Sequence, residues 1–138
     1  MLARISSLGP RGVRAILWHQ GESDTHRKPE QQLSADQYTA TMEKVIRVSR
    51  ERAGWAIPWF TAQATYWGPD RPAFPSIREA QARLWKPGLA LEGPDTDSLT
   101  GEVRQSKGKG VHFSATGLVE HGRLWAAKVS AWLDTQLR

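Results

Sequence analysis

The chain has 138 residues, 39% apolar and 24% charged, proportions that suit one folded domain with a buried core and exclude a disordered chain. Zero Cys excludes a disulfide scaffold, a thiolate zinc site and a cysteine nucleophile. Nineteen Lys and Arg against fourteen Asp and Glu leave +5, but the densest basic run, Arg47 to Arg52, contains Glu51 and falls on a predicted helix, so it reads as a solvated face rather than a nucleic-acid footprint.

Val13 to Trp18 (VRAILW) is apolar but for Arg14, and its length and bulky residues suit a strand covered on both faces. His19 to Leu33 is polar and carries Gly21, Asp24 and Pro29, the composition of a long loop at that strand's carboxyl end. Ser34 with Gln37 fits a capping box; Tyr38, Met42, Val45 and Ile46 then recur at helical spacing and Gly54 supplies the stop, predicting a helix over Ser34 to Ala53. Ile57 to Ala64 (IPWFTAQA) reads as a second strand with Pro58 tolerated at its start, and Gly68, Pro69, Pro72 and Pro75 stiffen the loop beyond it. Ser76 is expected to cap a helix along Ile77, Ala80 and Leu84, ended by Pro87 and Gly88. Leu89 to Leu91 is the third strand, and Ser114 opens a last helix with Leu118, Trp125, Val129 and Trp132 along one face.

The apolar runs Ala15 to Trp18 and Ile57 to Phe60 fall far short of the roughly 20 residues a bilayer helix needs, and no basic-then-apolar leader opens the chain, so no membrane partner is expected. The alternation of strands and helices is the grammar of an α/β fold with a parallel sheet and right-handed crossovers. Sites in such sheets lie outside the carboxyl ends of the strands, where the loops after the first and third strands open together. Most of the seven Trp are expected to pack in the core.

Two loop constellations carry chemistry. Trp18-His19-Gln20-Gly21-Glu22-Ser23-Asp24 sets an amide and carboxylates just past a buried strand, where Gln20 could donate to a developing oxyanion. Gly110-Val111-His112-Phe113-Ser114 puts an imidazole immediately before a helix cap, free to act as a general base. With Ile77-Arg78-Glu79-Ala80-Gln81 and Gly117-Leu118, these strings resemble, in order and spacing over about Val13 to Leu133, the sialate O-acetylesterase and carbohydrate esterase family 6 branch of the SGNH hydrolases.

The resemblance implies a three-layer α/β/α, flavodoxin-like fold and a serine/histidine carboxylic ester hydrolase that deacetylates sugars without a cofactor or metal. Carried over, His112 is the general base, Gln20 an oxyanion donor and Glu22 the carboxylate that organises the loop. Trp18, Tyr66 and Trp67 are expected to contact an acetylated carbohydrate.

Three family elements have no counterpart. The nucleophile's Gly-Gln-Ser-Asn-like turn and the glycine of a second oxyanion block belong to the family's first two strands, whereas this chain starts just before the third. The Asp that orients the imidazole is replaced by Lys109. The chain is therefore expected to be one partial domain over 1–138, with its N-terminal strands missing, inactive alone, and open to self-association along its first strand. Asp95 or Asp97 is expected to supply the carboxylate to His112 instead. Two other readings compete. A zinc site from His19, Glu22, Asp24 and His26 lacks a recognised ligand spacing, and a non-catalytic carbohydrate-binding module or degenerate esterase would explain the missing serine.

Overall fold

Three short strands, β1 (Ile16–Trp18), β2 (Trp59–Gln63) and β3 (Leu91–Asp95), form one parallel sheet in the order β1-β2-β3. The computed structural model describes every residue except Pro10, Arg27 and Arg138, and the backbone alone of Leu2. Arg27, part of the expected loop, thus lies outside the described residues. In register, Ile16 faces Trp59 and Phe60 faces Leu91, and a bulge between Thr61 and Gln63 brings Gln63 opposite Asp95. The sheet is the one the alternation predicts, with two strands displaced. Val13 to Ala15 run ahead of the point where β2 begins, so they have no ladder to join. The third strand begins at Leu91 and runs on through Gly93 and Pro94 because Leu89 is tied into a turn by its N–H on the Lys86 carbonyl, 3.0 Å. Pro94 is tolerated because β3 is an edge strand.

Helices cover both faces. A short α1 (Leu2–Ser7), which no periodicity announces, touches α2 (Ala35–Ala53). The α2 start has both halves of the capping box: the Ser34 hydroxyl accepts from the Gln37 N–H at 3.1 Å, and the Gln37 side chain accepts from the Ser34 N–H at 2.9 Å. It stops at Gly54, whose φ of +76° is the left-handed conformation glycine adopts without strain. Tyr38, Met42 and Ile46 of α2 join Ile57, Trp59, Ile77, Ala80 and Leu84 in the larger core, against which Ile16 and Trp18 lean. The α3 helix (Pro75–Arg83) starts earlier than Ser76 suggests: Phe74 is its N-cap, and Pro75 takes the first helical position, where a missing N–H costs nothing.

On the opposite face α5 (Ala115–Gln136), capped by the Ser114 hydroxyl on the Gly117 N–H, lays Trp125, Val129 and Trp132 over Phe60 and Ala62. Leu118, expected on that stripe, is 59% exposed and rims a cavity beyond the sheet's end. Before α5 lies a single turn, α4 (Gln105–Gly108), in which Ser106 and Lys107 both take a φ of +54°. Several Trp serve the scaffold: the Trp59 indole donates to the Ser49 hydroxyl at 3.1 Å and that of Trp85 to the Thr61 carbonyl at 2.9 Å. Among the described residues no helix is long and apolar enough to cross a membrane.

Candidate active site

The loop after β1 is stitched to the end of β2 and to α3. The Gln20 carbonyl accepts from the Tyr38 hydroxyl at 3.0 Å and from the Gln81 amide at 3.1 Å, while the Gln81 oxygen accepts from the Ala64 N–H at 3.1 Å. Burial pushes the Tyr38 phenol up to about 12, so it stays a donor. Any Cβ at Gly21 would collide with the Ala64 carbonyl and the Gln81 amide, which is why the loop turns on a residue without a side chain. The Glu22–Thr25 turn is then pinned from outside: the Trp67 indole N–H donates to the Glu22 carbonyl and Arg71 to the Thr25 carbonyl.

This scaffold holds His19 against β3's carboxyl end. The Thr96 hydroxyl bridges the Gln63 carbonyl at 2.8 Å and His19 Nε2 at 2.9 Å. His19 Nδ1 lies 4.0 Å from Glu22 Oε1. Burial, then the Arg104 charge, hold this imidazole below its usual range, and burial raises the Glu22 carboxyl above the ordinary carboxylate range.

Arg104 organises the second loop. Its guanidinium, 2% exposed, lies between the Tyr66 and Phe113 rings, 4.0 and 4.1 Å from their centroids, and donates to the carbonyls of Leu99 (2.6 Å), Val111 (2.7 Å) and Thr96 (2.8 Å). The Gln105 N–H holds the His112 carbonyl at 2.9 Å. The residues on either side of His112 are thus fixed, while its ring is exposed and, among the described residues, has no hydrogen-bond partner. His121 of α5 stacks on Phe113 at 4.7 Å and meets His19 edge-on at 4.8 Å; burial and then His19 lower its pKa. His19, Glu22, Arg104, His112, Phe113, Leu118 and His121 are among the residues that line one cavity of about 350 Å³.

The structure brings some expected residues to this cavity and takes others away. His112 and Glu22 line it. Gln20 does not; its amide donates to Asp24 Oδ2 at 2.7 Å. Asp95 and Asp97 are not turned toward His112. Asp97, 5% exposed, accepts from the N–H groups of Thr65 (2.6 Å) and Tyr66 (3.0 Å), the Thr65 hydroxyl (2.6 Å) and Arg78 (2.9 Å). Asp95 takes two bonds from the same Arg78, which holds its carboxyl below the usual range. Nor does the cavity meet the three aromatics expected to contact sugar. Trp18 packs on Trp59 at 5.7 Å, Tyr66 is wholly buried beneath Arg104, and Trp67 braces the Glu22 turn. His19, Arg104, Phe113 and His121 take their place. Nothing local marks Arg104, but His121, set four residues before Trp125, is a polar residue on the inward side of α5 and was open to notice.

The zinc reading loses its geometry: His26 faces the Trp67 ring edge-on and accepts from the Lys28 N–H, and among the described residues no three His, Asp or Glu side chains are placed to hold a metal. A family model described as "Carbohydrate esterase, sialic acid-specific acetylesterase" matches residues 1–131. The chain belongs to this esterase family. The match takes in all three strands, both polar loops and most of α5, so the cavity lies wholly within it. No curated protein and no solved structure matches the chain.

Proposed function

We propose that this chain carries the histidine and oxyanion loops of a carbohydrate O-acetylesterase of the serine/histidine type. The observation that carries the reading is convergence: two strings more than 80 residues apart in sequence, one ending β1 and the other leading into α5, meet at the carboxyl end of one parallel sheet around a common cavity. There His112, exposed on a fixed backbone, takes the proton of an attacking serine hydroxyl and later returns it to the leaving sugar oxygen. Gln20, which in the isolated chain lies outside the cavity with its amide on Asp24, turns in as the donor for the tetrahedral oxyanion once the upstream strands complete the site. Glu22 supports the loop through its bond from the Gly21 N–H, 3.1 Å.

The nucleophile comes from a segment outside these 138 residues, which then form one partial domain. Among the described residues no serine hydroxyl bonds a histidine; those of Ser98 and Ser114 donate to the Asp95 and Glu102 carbonyls. The chain alone is expected neither to hydrolyse p-nitrophenyl acetate nor to take a fluorophosphonate label on serine. Joined to its upstream strands it should do both, with His112→Ala abolishing most turnover and Gln20→Ala lowering kcat by about 10²–10³. The unpartnered His112 ring favours a second reading, a sugar-binding module without catalysis, which predicts that the completed chain binds sugar and turns nothing over.

A further inference from the structure

We propose that Arg104 is a positioning residue for His112: its buried guanidinium ties the segment after β3 to the loop that carries the base, and so fixes the main chain on which the imidazole stands. The inference deepens the esterase reading and rests on it for the role of His112. Four observations carry it.

First, each guanidinium nitrogen is committed to a main-chain carbonyl, Nε to Leu99, Nη1 to Val111 and Nη2 to Thr96. Val111 immediately precedes His112 and Thr96 follows the last residue of β3, so one side chain joins the base's loop to the sheet. Second, this cation is 2% exposed and forms no ion pair among the described residues. An apolar side chain would fill the same space without the cost of burying a charge, but it could not hold three carbonyls.

Third, the guanidinium is an inner layer of a stack that runs Tyr66, Arg104, Phe113, His121, with 4.0, 4.1 and 4.7 Å between successive layers. Both ends of the stack are anchored. The Tyr66 N–H donates to Asp97 at 3.0 Å and the Trp125 indole donates to His121 Nε2 at 3.1 Å. A flat cation fits between two rings where an ammonium does not. Fourth, the main chain closes around the same residue: Arg104 bridges Phe113 in antiparallel fashion, the Gln105 N–H bonds the His112 carbonyl at 2.9 Å, and the Ser114 N–H bonds the Val103 carbonyl at 2.9 Å. Inside that bridge Ser106 and Lys107, both at a φ of +54°, hold a conformation that side-chain-bearing residues rarely adopt, and the Arg104 bond to Val111 opposes its release. Arg104 lines the cavity, but with its nitrogens committed it acts through His112 and not on substrate.

Nitrogen NMR of the 138-residue chain is the first test and needs no variant. The Arg104 Nη signals are expected to be split by slowed rotation and the Nε–H to be protected from exchange; one averaged, fast-exchanging signal overturns the clamp. In Arg104→Ala the Val111, His112 and Phe113 amides should lose order in heteronuclear NOE measurements while those of Ile46 and Trp59, in the core, keep it. Ethylguanidinium should restore them saturably and ethylammonium should not, a selectivity that a general loss of stability does not produce. Amides indifferent to Arg104→Ala overturn the proposal. Arg104→Lys, which keeps the charge and loses the planar fork, serves if the Ala variant does not fold.

Turnover is read with p-nitrophenyl acetate in the chain completed by its upstream strands, below the melting transition of each variant. Arg104→Lys should lower kcat by about 10²-fold with KM nearly unchanged, because the base is displaced and the substrate's contacts are not. Ethylguanidinium should return kcat to Arg104→Ala. Parental kcat in Arg104→Lys overturns the positioning role, and a raised KM beside that kcat would mean that Arg104 binds substrate instead. A completed parent that cleaves nothing sinks the esterase reading, and the spectra alone then uphold or overturn the clamp on His112.

Discussion

Asp97→Asn separates a structural carboxylate from a catalytic one. The Asp97 side chain collects four hydrogen bonds in a site 5% exposed, two from backbone N–H groups, one from the Thr65 hydroxyl and one from Arg78. An amide can keep the Thr65 and Tyr66 N–H bonds on its oxygen. Its NH₂ then takes the place of Oδ2, where the Thr65 hydroxyl and an Arg78 N–H both donate, and three donors face one another. Removing one partner of a buried ion pair costs about 3–5 kcal/mol. Arg78 retains Asp95, so the lower end, about 3 kcal/mol, is expected. With a urea slope of about 1–3 kcal/mol/M, the unfolding midpoint should fall by about 1–3 M. Asp95→Asn is the control: that carboxylate is 45% exposed and its pairing with Arg78 is screened, so about 1 kcal/mol or less is expected. An Asp97→Asn midpoint equal to the parent's, or an Asp95→Asn loss as large, would refute the reasoning and return Asp97 to candidacy as the partner of His112.

His19 and His121 are both held below the usual imidazole range, chiefly by burial, so the unfolded chain takes up protons near about pH 6.5 that the folded chain does not. Stability should therefore fall as pH drops from about 7 toward 5. His121→Gln should flatten that slope in a series of thermal melts, and an unchanged slope would count against it. Gly21→Ala should cost about 1–3 kcal/mol in urea unfolding, since its Cβ meets backbone as well as the Gln81 amide; a neutral result would mean that the loop moves freely. Among the described residues β1 pairs on one side only and leaves Leu17 46% exposed, so sedimentation of the isolated chain should show concentration-dependent association that Leu17→Lys suppresses, and a monomer at every concentration would disprove it. Because Arg78 holds Asp95 and Asp97, Lys109→Asp in a completed enzyme should raise kcat by at least about tenfold, whereas no gain would mean another carboxylate already serves His112.

What the sequence makes legible follows the range of the interaction. The α2 helix is readable to within a residue because its start and stop are local: Ser34 and Gln37 bond each other, and Gly54 follows the last turn. The third strand is misplaced because Gly93-Pro94 reads as a turn, and only its position at the sheet's edge makes that pair compatible with pairing. The six residues of α1 have no stripe to read. Ser76 looks like a cap because its residue type favours one, but Pro75 outranks it by already having helical φ and no N–H to satisfy.

The site divides the same way. That the two polar loops meet follows from parallel topology alone, and so does the placement of His112 and Glu22 on one cavity. Which carboxylate reaches which base does not follow, because Asp97 finds its partners 19 to 32 positions away on β2's extension and α3. The setting of His19 is less local still. It depends on a hydroxyl 77 residues on, which also contacts the Gln63 carbonyl. A motif can put an imidazole in a loop, but the partners that hold its ring come from β2 and the residue just past β3. Substituting Thr96 would therefore loosen the His19 ring without touching the loop that carries it.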